Sequence, residues 1–457
     1  MAKRWFSGEI MKAFMAFFKP LAALAVVPVA LDWRSPVLVD IRPWALMGLI
    51  VVTLILILAE TWALHTREPG QRMFKVLSAL GLLAAAFALI TTLALEARFH
   101  WVRHQVLQAD ADRLEKLGRH VIVGYRDLRE LQELVRLRAI AGIFLSTHNV
   151  RGKDVAEVRQ DIRSLQNQRR EQRLPRLWVA TDQEGGVVSR LSPPLTRLPA
   201  LSEIVESYPE MPQREDAVRQ YALTQGRELA GLGVNVNFAP VVDINHQIAN
   251  PNDRLTRINQ RAISSDPAVV AQVASWYCAA MEDVGVRCTL KHFPGLGRVF
   301  EDTHLGCADL GTSVAELTDS DWVPFRMLMR RSGAFTMLGH VRLTALDPKR
   351  PASLSAAVIA GLLRDQWKHD GVLITDNFTM MAVYRSSEGI DKGSIEALNA
   401  GVDLILVTYD PDQYYRIMYA LLNAGENGKL DRNALNESDR RLERAISGIR
   451  TRGRSVD

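Results

Sequence analysis

The chain has 457 residues, 48% hydrophobic and 23% charged, with a formal net charge of +5 and three cysteines. That length fits one large domain with an appendage, or two ordinary domains. No Lys/Arg tract alternates with aromatics, which excludes a nucleic-acid groove, and the cysteines (Cys278, Cys288, Cys307) have neither disulfide-framework nor zinc spacing and read as core thiols.

Apolar runs dominate the first hundred residues. Residues 76–95, VLSALGLLAAAFALITTLAL, carry no charge. Residues 44–64 are almost as apolar, with Glu60 near one end and Trp44 and Trp62 at interfacial positions. Both stretches are long enough to cross a bilayer. A third candidate, 13–31, is interrupted by Lys19, Pro20 and Pro28, and no small-residue cleavage site follows to make it a signal peptide. Charge then sets the expected topology. Lys3, Arg4, Lys12, Arg67, Arg72 and Lys75 flank one side of three spans, and Arg34, Arg42, Arg98 and Arg103 flank the other. The positive-inside rule puts the richer set in the cytoplasm and everything after residue 97 on the outer face; with two spans the parity inverts. The expected organisation is a membrane region (1–97), a juxtamembrane linker (98–118) and a soluble domain (119–457).

From residue 119 onward, short apolar runs alternate with amphipathic stretches. The runs are 120–125, 141–147, 177–184, 234–243, 287–293, 334–340, 371–377 and 401–407. Their lengths and β-branched content predict strands buried on both faces, as in a parallel sheet, with stretches such as 154–172 and 216–233 predicted as helices. Eight alternations over this length match an α/β fold of the (β/α)8 TIM-barrel type. A doubly wound open sheet is the alternative, but no G-x-G-x-x-G follows the first run.

Polar residues end these runs. Asp182 and Glu184 end the third, Asp243 the fourth, Lys291 and His292 the fifth, His340 the sixth and Asp376 the seventh. In a barrel the C-terminal strand ends share one mouth, so these groups are expected to converge. After the fifth run, KHFPGLGRVFEDTH (291–304) adds Asp302 and His304 on a Gly/Pro-punctuated loop, where an aspartate two residues from a histidine can orient and charge the imidazole.

Four stretches taken together, ATDQEGGVVSRL (180–191), VNFAPVVDI (236–244), KHFPGLGRVFEDTH and LITDNFTM (373–380), resemble the motifs of glycoside hydrolase family 3. The resemblance is to its bacterial single-barrel β-N-acetylglucosaminidases and runs in order over roughly 119–410. It implies that Asp376 is the catalytic nucleophile and His304 an unusual histidine acid/base paired with Asp302. It implies that Asp182, Arg190, Arg261, Lys291 and His292 bind the sugar, with no metal and no cofactor. The implied activity is a retaining β-N-acetylhexosaminidase removing N-acetylglucosamine from peptidoglycan fragments or related glycans, in a multi-pass protein of the bacterial inner membrane. Its partners are then a carbohydrate substrate and the lipid bilayer, with no nucleic acid; protein partners are unspecified. Leu296 and Val187 depart from the family pattern, which usually has His and Arg there, and leave the exact substrate open. A β-glucosidase or a phosphorylase of the same family is the alternative within the class. A non-catalytic membrane-bound sugar-binding protein is the alternative outside it. His340 reads as a structural residue at the barrel mouth.

Overall fold

The computed structural model describes residues 2–68, 71–251, 253–331 and 333–452. The chain divides into two compact units, Met1–Gln105 and Val106–Asp457.

The first unit is built from α1 (Ala2–Leu31), α2 (Arg42–Thr66) and α3 (Arg72–Leu107). Helices α2 and α3 are long and apolar enough to cross a membrane, whereas the apolar part of α1, Phe17–Leu31, is shorter. Small residues let the three helices approach: Ala23 of α1, Leu56 of α2 and Ala84 and Ala85 of α3 form one buried cluster. The charges inside these apolar helices face one another. Glu60 is fully buried, and the Lys19 ammonium lies 3.9 Å from it while donating to the Ala59 carbonyl at 3.2 Å. Glu96 likewise accepts from Trp33 Nε1 and Arg34 Nη2, each at 2.5 Å. A charge in such a helix is costly unless it is paired in this way.

In the second unit each of the eight apolar runs contributes one strand to the main sheet. They are β1 (Val121–Gly124), β2 (Gly142–Leu145), β3 (Trp178–Thr181), β4 (Val236–Asn237), β5 (Thr289–Phe293), β6 (Phe335–Leu338), β7 (Leu373–Asn377) and β8 (Leu404–Val407). They form one parallel sheet in sequential order, with β8 pairing back onto β1 through Val121↔Ile405 and Val123↔Val407. Between β4 and β5 the sheet is joined by backbone bonds, Asn237 N to Arg287 O at 2.8 Å, Thr289 N to Ala239 O at 2.9 Å and Val242 N to Lys291 O at 2.9 Å. The sheet thereby closes into a barrel.

Inward-facing residues of the strands fill the barrel. Ile122, Phe144, Trp178, Ala180, Val236, Phe335, Met337, Ile374, Leu404 and Leu406 belong to one buried cluster. Leu442 of the C-terminal helix Arg432–Arg452 completes it, so that helix covers one end of the barrel. The crossover helices start and stop where the sequence signals them. Asp127, Asp154 and Asp266 cap Leu128–Arg136, Val155–Glu171 and Pro267–Asp283, and left-handed Gly233 and Gly401 end Met211–Leu232 and Gly389–Ala400. The expected linker 98–118 is itself helical over most of its length, because α3 runs to Leu107 and a short helix spans Ala111–Gly118.

Candidate active site

The C-terminal ends of β3, β5 and β7, with the loops after β4 and β5, bring the titratable side chains together. Beyond β3 the chain makes a small hairpin, Gln183–Gly185 against Val188–Ser189. Asp182, just before it, and Glu184, in its first arm, alternate onto one face of the extended backbone. Lys291, at the end of β5 and 1% exposed, bonds both: Nζ lies 2.7 Å from Asp182 Oδ1 and 2.5 Å from Glu184 Oε1. Arg261 closes the cluster with a fork on Glu184, Nε to Oε2 at 2.9 Å and Nη2 to Oε1 at 2.6 Å. Burial by itself would raise the Glu184 pKa, but the Arg261 and Lys291 charges outweigh it and hold the carboxyl well below the usual range. Two carboxylates and two cations form a desolvated, charge-balanced floor.

His292 is fixed beside this floor. Its Nδ1 donates to Asp243 Oδ2 at 2.7 Å, and Nε2 lies 3.4 Å from Arg261 Nη2. Asp243 is 1% exposed and accepts from the backbone amides of His292 (3.2 Å) and Leu296 (2.7 Å) as well. One buried carboxylate therefore sets the ring orientation of His292 and the path of the Gly/Pro loop that follows. Gly297 is required there by close approach: a Cβ would sit 1.8 Å from the Ile244 carbonyl oxygen.

Asp376 ends β7 and is partly open to solvent, accepting from the Asn377 amide at 2.7 Å. Burial pushes its carboxyl up, but His292, His340 and His304 nearby, with the Asn377 amide, bring it below the ordinary value. It is a carboxylate at neutral pH. His340 is a structural neighbour: Nδ1 meets Ser353 Oγ at 2.7 Å, and Nε2 donates to the Asn377 carbonyl at 3.1 Å, bracing the strand end.

The third element is the loop after β5. Asp302 Oδ1 accepts from His304 Nδ1 (3.0 Å), the His304 amide (3.0 Å) and Thr256 Oγ1 (2.9 Å), while Oδ2 accepts from the Leu255 amide (3.1 Å). Burial opposes ionisation of Asp302, but His304 and Thr256 hydrogen bonds win and hold its pKa well below the usual carboxylate range. With Nδ1 committed to Asp302, the tautomer leaves Nε2 to face a substrate. His304 keeps 35% of its side chain exposed.

Comparison with known proteins now identifies the barrel. The model described as "Glycosyl hydrolase family 3 N terminal domain" matches residues 112–445. The chain belongs to glycosyl hydrolase family 3. Among curated relatives, the protein named beta-hexosaminidase A from Pseudoalteromonas piscicida is 32% identical over 334 residues, 68% of this chain and 54% of that one. The chain thus spans about half the length of that relative. The beta-hexosaminidase of Thioalkalivibrio sulfidiphilus is 34% identical over 282 residues, covering 61% of this chain and 77% of its own. Among solved structures, a family 3 β-N-acetylglucosaminidase from Paenibacillus sp. superposes with a TM-score of 0.66 at 31% identity, over 74% of this chain and 62% of its own. A family 3 glycosyl hydrolase from Mycobacterium smegmatis gives a TM-score of 0.65 at 29% identity, over 74% and 98%.

Of the expected site residues, the fold gathers Asp182, Arg261, Lys291 and His292 into one polar floor and Asp302 with His304 into a dyad, and Asp376 lies in electrostatic reach of His292 and His304. Arg190 differs. Its backbone amide donates to the Asp182 carbonyl at 3.1 Å, but its side chain is exposed on the hairpin. One contributor, Thr256, is absent from the sequence reading, and two others are only half seen. Glu184 and Asp243 were visible as strand-end acids, without the partners that define them. Thr256 left no signal at all: it lies 46 residues from the aspartate it bonds. The two departures occupy different settings, Leu296 buried at 2% and Val187 exposed at 42% on the hairpin turn.

Proposed function

We propose that this protein is a retaining β-N-acetylglucosaminidase, with Asp376 as nucleophile and the His304–Asp302 dyad as general acid and base. The observation that carries the reading is the strand-end carboxylate Asp376, in electrostatic reach of an imidazole whose other nitrogen is committed to a buried aspartate. In the first step Asp376 attacks the anomeric carbon, the carbon–oxygen glycosidic bond breaks, and His304 Nε2–H passes its proton to the departing oxygen. Asp302 supports the imidazolium needed for that transfer. In the second step the now neutral Nε2 takes a proton from water, whose oxygen attacks the glycosyl-enzyme and releases Asp376.

The polar floor supplies the sugar contacts. Asp182 has a side chain 21% exposed and Lys291 orients it, which suits acceptance of sugar hydroxyls. Arg261, His292 and Arg190 complete the proposed binding set. Arg261 does so chiefly through Glu184, since its guanidinium is already paired there. Peptidoglycan fragments are the substrate class that the sequence resemblance favours. The apolar helices α2 and α3 support a membrane-anchored enzyme, and with α1 as a third span the charge pattern of the flanking segments favours a barrel on the outer face.

Hydrolysis of a chromogenic β-N-acetylglucosaminide by the purified chain tests the activity. Asp376→Ala is expected to remove turnover by about 10⁴-fold or more, as loss of a nucleophile does elsewhere. Near-parental turnover in a folded Asp376→Ala protein sinks the assignment. Release of free sugar in both phosphate and a non-nucleophilic buffer separates hydrolysis from phosphorolysis. Reporter fusions at the C-terminus test sidedness, an active periplasmic phosphatase being the expected outcome.

A further inference from the structure

Within the described residues of the barrel unit, large apolar side chains that are more than half exposed number three. They are Leu255 (51%), Phe300 (54%) and Leu305 (58%). Single exposed hydrophobics are ordinary on a protein surface. These three are not scattered: Leu255 and Leu305 sit on backbone bonded to Asp302, and Phe300 lies two residues before it in the chain. The Leu255 amide donates to Asp302 Oδ2 at 3.1 Å, the Leu305 amide donates to the Asp302 carbonyl at 3.0 Å, and the Phe300 carbonyl accepts from Asn250 Nδ2 at 2.7 Å.

Those bonds also join two loops. Residues 253–256 and Asn250, after β4, are joined to residues 299–305, after β5, through Asn250, Leu255 and Thr256, so the backbone of the apolar residues and the acid/base group belong to one assembly. The Leu305 neighbour is fixed at its other end too, since the His304 carbonyl accepts from the Met381 amide at 3.1 Å.

Chemistry decides what lies against this assembly. The group that protonates the glycosidic oxygen must meet it within hydrogen-bond reach, so the leaving group departs past His304. The sugar being cleaved lies on the other side, over the Asp182–Lys291–Glu184–Arg261 floor and against Asp376. The backbone that carries the three apolar side chains therefore lies beside the group that the aglycone must pass. We propose that Leu255, Phe300 and Leu305 form an aglycone subsite selective for leaving groups that present alkyl surface next to the glycosidic oxygen. This rests on the glycosidase reading above and narrows it: the sugar is chosen by the polar floor, the aglycone by an apolar rim on the acid/base loop and the loop bonded to it.

The test uses the full chain in lipid nanodiscs with methyl and n-hexyl β-N-acetylglucosaminides, whose leaving alcohols have similar basicity. The quantity read is the ratio of kcat/KM for hexyl over methyl. A ratio about tenfold or more above one is expected, of the size that a few buried methylenes give. It should fall toward one in Phe300→Ser and Leu305→Ser, through KM more than kcat, while thermal unfolding shows each variant folded. Methyl-glycoside turnover with a ratio near one, or a ratio that neither substitution moves, overturns the subsite and leaves the rim to a lipid or protein surface. Failure to hydrolyse either glycoside, or any activated aryl N-acetylglucosaminide, overturns the glycosidase reading itself.

Discussion

At the scale of single residues, the acid/base role of His304 depends on how basic the departing oxygen is. Activated aryl leaving groups need little protonation, whereas alkyl and sugar leaving groups need it fully. His304→Ala is expected to lower turnover of alkyl glycosides by about 10²–10⁴-fold and to affect activated aryl glycosides far less. A flat loss across a leaving-group series would make His304 structural. Thr256 acts one step behind. Its hydroxyl donates to the same Asp302 oxygen that holds His304 Nδ1, and it lies 3.2 Å from that nitrogen. A hydrogen bond to a charged group contributes roughly 1.5–3 kcal/mol, so Thr256→Val is expected to lower kcat for alkyl glycosides about tenfold or somewhat more. Thr256→Ser restores the hydroxyl and should restore the rate. Rescue by serine, with KM little changed, distinguishes positioning of the dyad from general damage to the loop.

Among the elements, the strands were the most legible part of the chain. Each apolar run was too short for a helix and rich in β-branched residues, and each contains a barrel strand, although β4 keeps only Val236–Asn237 in regular pairing. The strand-end rule then placed Asp182, Lys291, His292 and Asp376 at one mouth. What pattern reading could not supply was pairing between loops. Glu184 meets Arg261 across 77 residues and Asp243 meets His292 across 49, and neither separation leaves a periodic trace. Arg190 is the converse case, because a motif fixes a residue's position but not the contacts of its side chain. The opposite end of the barrel has its own hidden pairing. Asp403, fully buried where β8 begins, accepts from Arg441 Nε at 2.8 Å, Arg364 Nη2 at 2.8 Å and the Leu373 amide at 2.7 Å. It links the C-terminal helix, the helix before β7 and β7 itself. Asp403→Ala strands two guanidiniums and is expected to cost about 3–5 kcal/mol of stability, read from denaturant unfolding, with little change in KM. A loss below about 1 kcal/mol would mean that water or a shifted carboxylate replaces it.

For the whole molecule, acid stability separates into two windows with different groups in each. His369 is 6% exposed, its Nε2 has no hydrogen-bond partner, and a Cβ on Gly371 would lie 2.6 Å from its ring. Burial, reinforced by the Arg364 charge and opposed by Asp403 and Asp370, pushes its pKa down from the ordinary 6.5 to about 4. The unfolded chain therefore binds this proton first as pH falls. His369 contributes its full stability above about pH 6.5 and loses it progressively down to about pH 4, a change of about 3 kcal/mol over that window. His120 and His340 are also pushed down by burial and act in the same direction. The carboxylates behave separately. Asp302, Glu184 and Asp321 have folded pKa values below the ordinary range, so their contribution is intact above the unfolded value near 4 and is lost as pH falls below it. Unfolding free energies at pH 7, 5.5 and 4.5 should thus decline in the parent, and His369→Asn should flatten part of the decline between 6.5 and 4 while leaving the steeper acid limb in place. An unchanged slope in that variant would show that the ring is hydrated in the native barrel, and that the buried histidines at 120 and 340 set the upper window alone.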